Sequence, residues 1–271
     1  MEPTGSNWNR QRLTIRAGRQ SLAFAATEND IERTVTFEPF TVKSGVSIAA
    51  NMRDALSQAA LLDRGIERAD VLVDGPTMLV PLDLFEEEQM GELYDLMFTD
   101  DARQSVKMFN VMAELSAVAV FAVSRDFKGV IDDHFRDTRF FSTMTPVWKH
   151  LYRRSFTGLR RKLYAYFHEQ RIDLFSFTRN RFKYENTFDG SRSRDALFYL
   201  LAVWNELQFA AETDELHVVG DMPEREWMLG ELHAYLKNVY TLNPTAELSR
   251  APATLCKGMS FDMMTFITRG A

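Results

Sequence analysis

Leu13-Thr14-Ile15-Arg16-Ala17 alternates apolar with polar positions, Gly18-Arg19-Gln20 turns the chain, and Leu22-Ala23-Phe24-Ala25 runs back, so the pattern predicts a β-hairpin. Thr34-Val35-Thr36-Phe37 reads as a third strand ended by Pro39. From Ser47 the spacing changes: Ile48, Met52, Ala55, Leu56 and Ala59 recur at helical intervals, and Arg64-Gly65 closes that helix. Val71-Leu72-Val73 is then a continuous apolar run stopped by Asp74-Gly75-Pro76, the pattern of a strand buried on both faces. The order so far is β-β-β-α-β.

The middle of the chain carries a charged helix around Glu86 to Met97, two apolar runs at Val106 to Met112 and Ala117 to Val123, and an amphipathic stretch from Asp126 to Phe135. Thr145-Pro146 opens another helix, since Thr suits the N-cap and Pro the first turn. Beyond it the opening pattern returns. Leu163-Tyr164-Ala165-Tyr166-Phe167, Ile172 to Phe177 and Phe182-Lys183-Tyr184 read as three strands, Arg194 to Gln208 as a helix with Leu197, Leu200, Leu201 and Trp204 on one face, and Leu216-His217-Val218-Val219 as a buried strand. The first three strands and the helix occupy residues 12–69 in one half and 161–215 in the other, so the two halves match in order and nearly in length. A duplicated α/β domain with a cleft between the copies is the expected architecture, with a first domain over 10–144, a junction helix over 145–158 and a second domain over 159–271.

Hydrophobic residues make 45% and charged residues 26% of the 271 positions, which excludes a wholly disordered or collagenous chain. The single cysteine, Cys256, excludes an intramolecular disulfide and a thiolate metal cage, and a reducing cytoplasm is the expected location. Met1 to Asn7 lacks the basic start and apolar core of a secretory signal, and no segment approaches the roughly 18 to 20 uncharged residues of a membrane helix. A net charge of −6 argues against non-specific nucleic-acid binding by the chain as a whole. Lys149 to Arg194 is the exception, with twelve Lys and Arg against four Asp and Glu.

Leu13 to Gly18 opening a hairpin, Val71 to Thr77 leading into Val80-Pro81-Leu82, and Val120 to Ser124 leading into a helix resemble the actin-like ATPase superfold. The Leu13-Thr14-Ile15-Arg16 opening, the Phe177 to Phe188 stretch with Asn180-Arg181-Phe182, the Phe198-Tyr199-Leu200-Leu201 helix and the Val219-Gly220 strand end resemble an uncharacterised Bacteroidetes family with that fold. More distantly they resemble the actin-like components of pilus and secretion platforms, and the likeness runs over roughly residues 10 to 240. The resemblance implies duplicated actin-like, ribonuclease-H-like domains, each a mixed sheet flanked by helices. It also implies a nucleotide cleft in which two Asp-x-Gly loops and a Gly-Gly turn hold ATP and magnesium, because glycine admits backbone N–H groups to phosphate and the carboxylates hold the metal shell. This chain departs from that pattern at each place. Arg16-Ala17-Gly18 keeps the glycine but has a cation at the Asp position, Tyr166-Phe167-His168 has neither Asp nor Gly, and Gly220-Asp221 has lost one glycine.

Other chemistry is sparse. His134, His150, His168, His217 and His233 show no zinc-ligand spacing, and His134 beside Asp132-Asp133 reads as a solvated helix face. Gly45-Val46-Ser47-Ile48-Ala49 approximates a hydrolase elbow, with Ala in place of the second glycine, and reads as a Ser N-cap. Phe261 to Ile267 reads as a last element packed on the second domain. Arg153, Arg154, Arg160, Arg161 and Lys162, interleaved with aromatics, read either as a solvated junction paired with the chain's own acids or as an exposed partner surface for an acidic protein or RNA.

The expected function is that of a non-catalytic actin-like module for interaction or assembly, needing no cofactor and binding a protein partner. The alternative is an ATPase or kinase whose divergent loops bind Mg-ATP by another geometry. The sequence leaves oligomeric state open.

Overall fold

The computed structural model describes residues 11–28, 34–98 and 104–270, and its chain divides into two compact units. The stretch read as lacking a leader lies outside the described residues. The first unit comprises residues 1–113, 117–147 and 251–271, and the second comprises 114–116 and 148–250.

In the first unit, β1 (Leu13–Ala17), β2 (Ser21–Thr27) and β3 (Val35–Thr41) form an antiparallel meander. Helix α1 (Ile48–Gln58) follows, then β4 (Arg68–Val73), which pairs in parallel with β1. The Ser47 hydroxyl accepts from the Ala50 amide at 3.2 Å, capping α1 as the sequence indicated. Asn51 completes that entry by accepting from the Lys43 amide and donating to the Val46 carbonyl, which fixes the turn through Gly45. No strand directly precedes Ser47, so the hydrolase-elbow geometry is absent.

An insertion then builds a separate three-stranded antiparallel sheet from β5 (Thr77–Pro81), β6 (Ser105–Met112) and β7 (Ala117–Ser124), with α2 (Met90–Met97) between β5 and β6. Helix α3 (Arg125–His134) returns the chain to the main sheet, where β8 (Asp137–Ser142) pairs in parallel with β4. The main sheet therefore runs β3-β2-β1-β4-β8. Leu13, Ile15, Phe24, Met52, Val71, Phe127 and Ile131 meet in its core.

The β8 segment, Asp-Thr-Arg-Phe-Phe-Ser, escapes the hydrophobic pattern because ionic clasps hold it in place. Asp70 on β4 accepts from Arg139 on β8 at 2.7 and 2.8 Å and from Arg12 at 2.6 Å, and Arg12 in turn reaches Asp137.

Helix α4 (Met144–Ser155) carries the chain into the second unit, the division falling between Val147 and Trp148. There β9 (Lys162–His168), β10 (Arg171–Thr178) and β11 (Arg181–Asp189) form a second meander. Helix α5 (Ser193–Glu206), strand β12 (Glu215–Gly220), helix α6 (Arg225–Tyr235), strand β13 (Val239–Thr241) and the short α7 (Pro244–Glu247) complete it. The sheet order β11-β10-β9-β12-β13 repeats the connectivity of the first unit's main sheet. Leu163, Ala165, Phe167, Leu174, Leu216 and Val218 face α5 and α6 on one side, contributing to a core with Leu200, Trp204 and Leu232.

The C-terminal helix α8 (Phe261–Arg269) belongs to the first unit, which corrects its expected place on the second domain. Met263 and Met264 are buried and the Phe266 ring lies 5.1 Å from Phe141 on β8. The apolar segment needed a core, and its composition could not say which of two.

Candidate functional site

Strand β1 is buried at every position, so Arg16 has no route to solvent and must find its partners inside the protein. It finds them at the first turn of α8. Its Nε donates to both oxygens of Asp262 at 2.9 and 3.0 Å, Nη2 donates to Oδ2 at 3.0 Å, and Nη1 donates to Ser21 Oγ at 2.9 Å. Ser260 hydrogen-bonds the same carboxylate. Arg16 is 4% exposed and Asp262 is wholly buried. The hairpin turn itself is closed by Gly18 N–H donating to the Ser21 carbonyl at 2.8 Å. A cation thus stands where the resemblance implies a magnesium-holding carboxylate, and that cation is clamped by an internal anion. Sequence reasoning singled out Arg16 but missed Asp262, because nothing local joins the first strand to the last helix.

The corresponding hairpin of the second unit, β9 to β10, turns through Glu169 and Gln170, both left-handed at φ 46° and 63°. Period-2 alternation places Tyr164, Tyr166 and His168 of β9 on the sheet face opposite the helices, with Asp173 of β10 directly across from Tyr166 and Thr187 of β11 across from Asp173. His168 Nε2 is hydrogen-bonded to Asp173 Oδ2 at 2.5 Å, the Thr187 hydroxyl donates to Asp173 Oδ1 at 2.5 Å, and the Tyr166 ring stacks on His168 at 4.5 Å between centroids. His168, Asp173 and Thr187 thus form one hydrogen-bonded network across three strands. Glu185, half-buried on the same face, has its carboxyl pushed up to about 8 by burial and by the neighbouring Asp173 charge. On β12, His217 lies between the rings of Tyr164 and Tyr240 and bonds Glu215 at 3.0 Å, and burial holds its pKa below the ordinary imidazole value.

Gly220 ends β12 at φ +93°, and a Cβ built on it would lie 1.9 Å from the Phe167 carbonyl oxygen. The Asp221 amide donates to that oxygen at 3.0 Å, while Asp221 itself is exposed. Close packing of β12 against the end of β9 is therefore sufficient reason for this glycine. Among the described residues no group of three or more His, Cys, Asp or Glu is arranged to hold a metal, and His134 is exposed on the end of α3.

The model of one protein family, described as protein of unknown function (DUF3822), matches residues 4–239. The chain belongs to that family. No curated protein matches it. Among solved structures, the DUF3822 chain is similar to a Bacteroides thetaiotaomicron protein with actin-like ATPase fold and unknown function, 24% identical with a TM-score of 0.82, over 95% of this chain and 100% of that one. It is also similar to a chain of the PilM–PilN type IV pilus biogenesis complex, 13% identical with a TM-score of 0.55, over 87% of this chain and 89% of that one. These likenesses show the actin-like ATPase fold.

The five cations of the basic block have different fates in the DUF3822 chain. Lys162 is only 5% exposed, and its ammonium donates to the carbonyls of Ser155, Thr157 and Arg160 at 3.3, 2.5 and 3.5 Å. Arg161 bonds Asp214 and the Gln208 carbonyl and lies over the Phe209 ring. Arg154 bonds Glu247 at 2.5 Å, and although burial opposes it, His150 and Arg154 keep that carboxyl below the usual range. Arg153 and Arg160 are more than half exposed, with looser partners in Glu114 at 3.7 Å and Glu215 at 3.8 Å. The expectation of a single exposed surface formed by all five is corrected: folding turns Lys162 inward because the chain between α4 and β9 leaves carbonyls that need a donor.

Proposed function

We propose that this protein is a non-catalytic member of the actin-like fold, serving in the cytoplasm as an interaction or assembly module whose nucleotide loops have become structural. The observation that supports the reading is the buried Arg16–Asp262 pair, since the resemblance implies a magnesium-holding carboxylate at Arg16. The His168–Asp173–Thr187 network at the second hairpin supports it in the same way. The likeness to a chain of the PilM–PilN complex favours a protein partner, and no described helix is long and apolar enough to cross a membrane. Calorimetric titration with ATP and magnesium tests the reading. No magnesium-dependent heat is expected, whereas a micromolar, magnesium-dependent dissociation constant abolished by Gly18→Val would overturn it and favour the enzyme.

A further inference from the structure

Two exposed surfaces of the chain combine apolar side chains with charge of opposite sign. On the inserted sheet of the first unit, α2 turns Tyr94 into the core but presents Leu93, Leu96 and Met97 to solvent, 44%, 80% and 63% exposed. They lie at i, i+3 and i+4 on one helix face. Leu84, just before the helix, is 70% exposed. From Leu82 to Phe98 there are six acidic residues and no Lys or Arg. Of the acids, Asp95 is paired with Lys107, while Glu86, Glu87, Glu88 and Glu92 are exposed. Surface apolar side chains scattered singly need no explanation, but three leucines and a methionine within one acidic stretch are the kind of feature that marks an interface.

In the second unit, the turn between α4 and β9 has the complementary character. Phe156 is 61% exposed and Leu159 wholly so, and they flank Gly158 at φ +77°. Arg153 and Arg160, the two members of the basic block that are more than half exposed, stand on either side. Lys162 holds the backbone of this turn from beneath through its three carbonyl bonds, so the projecting side chains are presented on a braced loop.

We infer that the α2 face of one copy takes the 156–160 turn of a second copy of this chain. Leu159 and Phe156 supply the apolar anchor, and Arg153 and Arg160 meet the α2 carboxylates. Charge complementarity argues for this occupant: an acidic apolar face suits a cationic apolar one, and each chain carries both halves exposed. Since the two surfaces differ, the contact is heterologous, and a pair still offers one unused surface of each kind. The inference rests on the assembly reading above and names the partner within it.

Sedimentation of the full chain over a range of protein concentration tests it. The weight-average mass should rise with concentration at low salt and fall back to the monomer value as salt screens the charges. Glu87→Arg with Glu92→Arg should weaken association about tenfold or more, as should Arg153→Glu with Arg160→Glu in a separate protein, because each places like charges across the contact. Mixing the two variants should restore association, since each then offers a surface that the other complements. That rescue also shows that both variants are folded. A chain that stays monomeric at every concentration, or variants that associate like the wild type, would overturn the inference and leave these surfaces to a different protein. Magnesium-ATP titration reports separately on the non-catalytic reading, so either can fail without the other.

Discussion

The guanidinium of Arg16 and the carboxylate of Asp262, 246 residues apart in the chain, meet in a buried forked ion pair. Removing one member leaves the other charged and desolvated, which is far costlier than removing both. Asp262→Ala should therefore destabilise the protein by about 3–5 kcal/mol in urea unfolding. Replacing the pair together, Arg16→Met with Asp262→Leu, should recover most of that loss. A double variant no more stable than Asp262→Ala would show that the pair's hydrogen bonds, rather than the orphaned charge, set the cost.

Two glycines should respond in opposite directions to alanine. Gly220→Ala drives a methyl into the Phe167 carbonyl at a positive φ and should cost about 3 kcal/mol or more, or prevent folding. Gly230 sits in α6, exposed, with open space where its Cβ would be, so Gly230→Ala should stabilise by about 0.5–1 kcal/mol through helix propensity. Thermal or urea melts of the two variants give both signs in one experiment.

Glu185 predicts a pH dependence with a definite sign. Its folded-state pKa of about 8 lies above the ordinary glutamate value of 4.5, so the folded protein holds a proton that the unfolded chain releases. The stability this contributes is complete below pH 4.5 and is progressively lost as pH rises towards 8. Glu185→Gln should flatten the stability profile across that window. Profiles that decline equally steeply in both proteins would place the titration elsewhere.

Lys162 and Arg153 separate a structural cation from a surface one. Lys162→Met removes the donor shared by three carbonyls and should cost about 1–3 kcal/mol. Arg153→Ala, at an exposed and loosely paired position, should lie within about 0.5 kcal/mol of the wild type. Denaturant midpoints at matched slopes make the comparison.

Local pattern alone determined the duplicated β-β-β-α-β order and the Ser47 cap, because alternation, helical spacing and capping are written within a few residues of where they act. The resemblance to actin-like nucleotide loops singled out Arg16, Tyr166, His168 and Asp221 as departures. What those residues do was decided only when the chain folded. Asp262 reaches Arg16 from the far end of the sequence, while Asp173 reaches His168, and Thr187 reaches Asp173, only through strand register. Strand β8 was invisible because ion pairs around Asp70, rather than an apolar run, hold it to β4. In the same way, one run of Lys and Arg became two kinds of residue: buried carbonyls drew Lys162 inward, while Arg153 and Arg160 kept their charge in water. Composition fixes how many charges a segment carries, but which of them are desolvated depends on neighbours that only tertiary packing supplies.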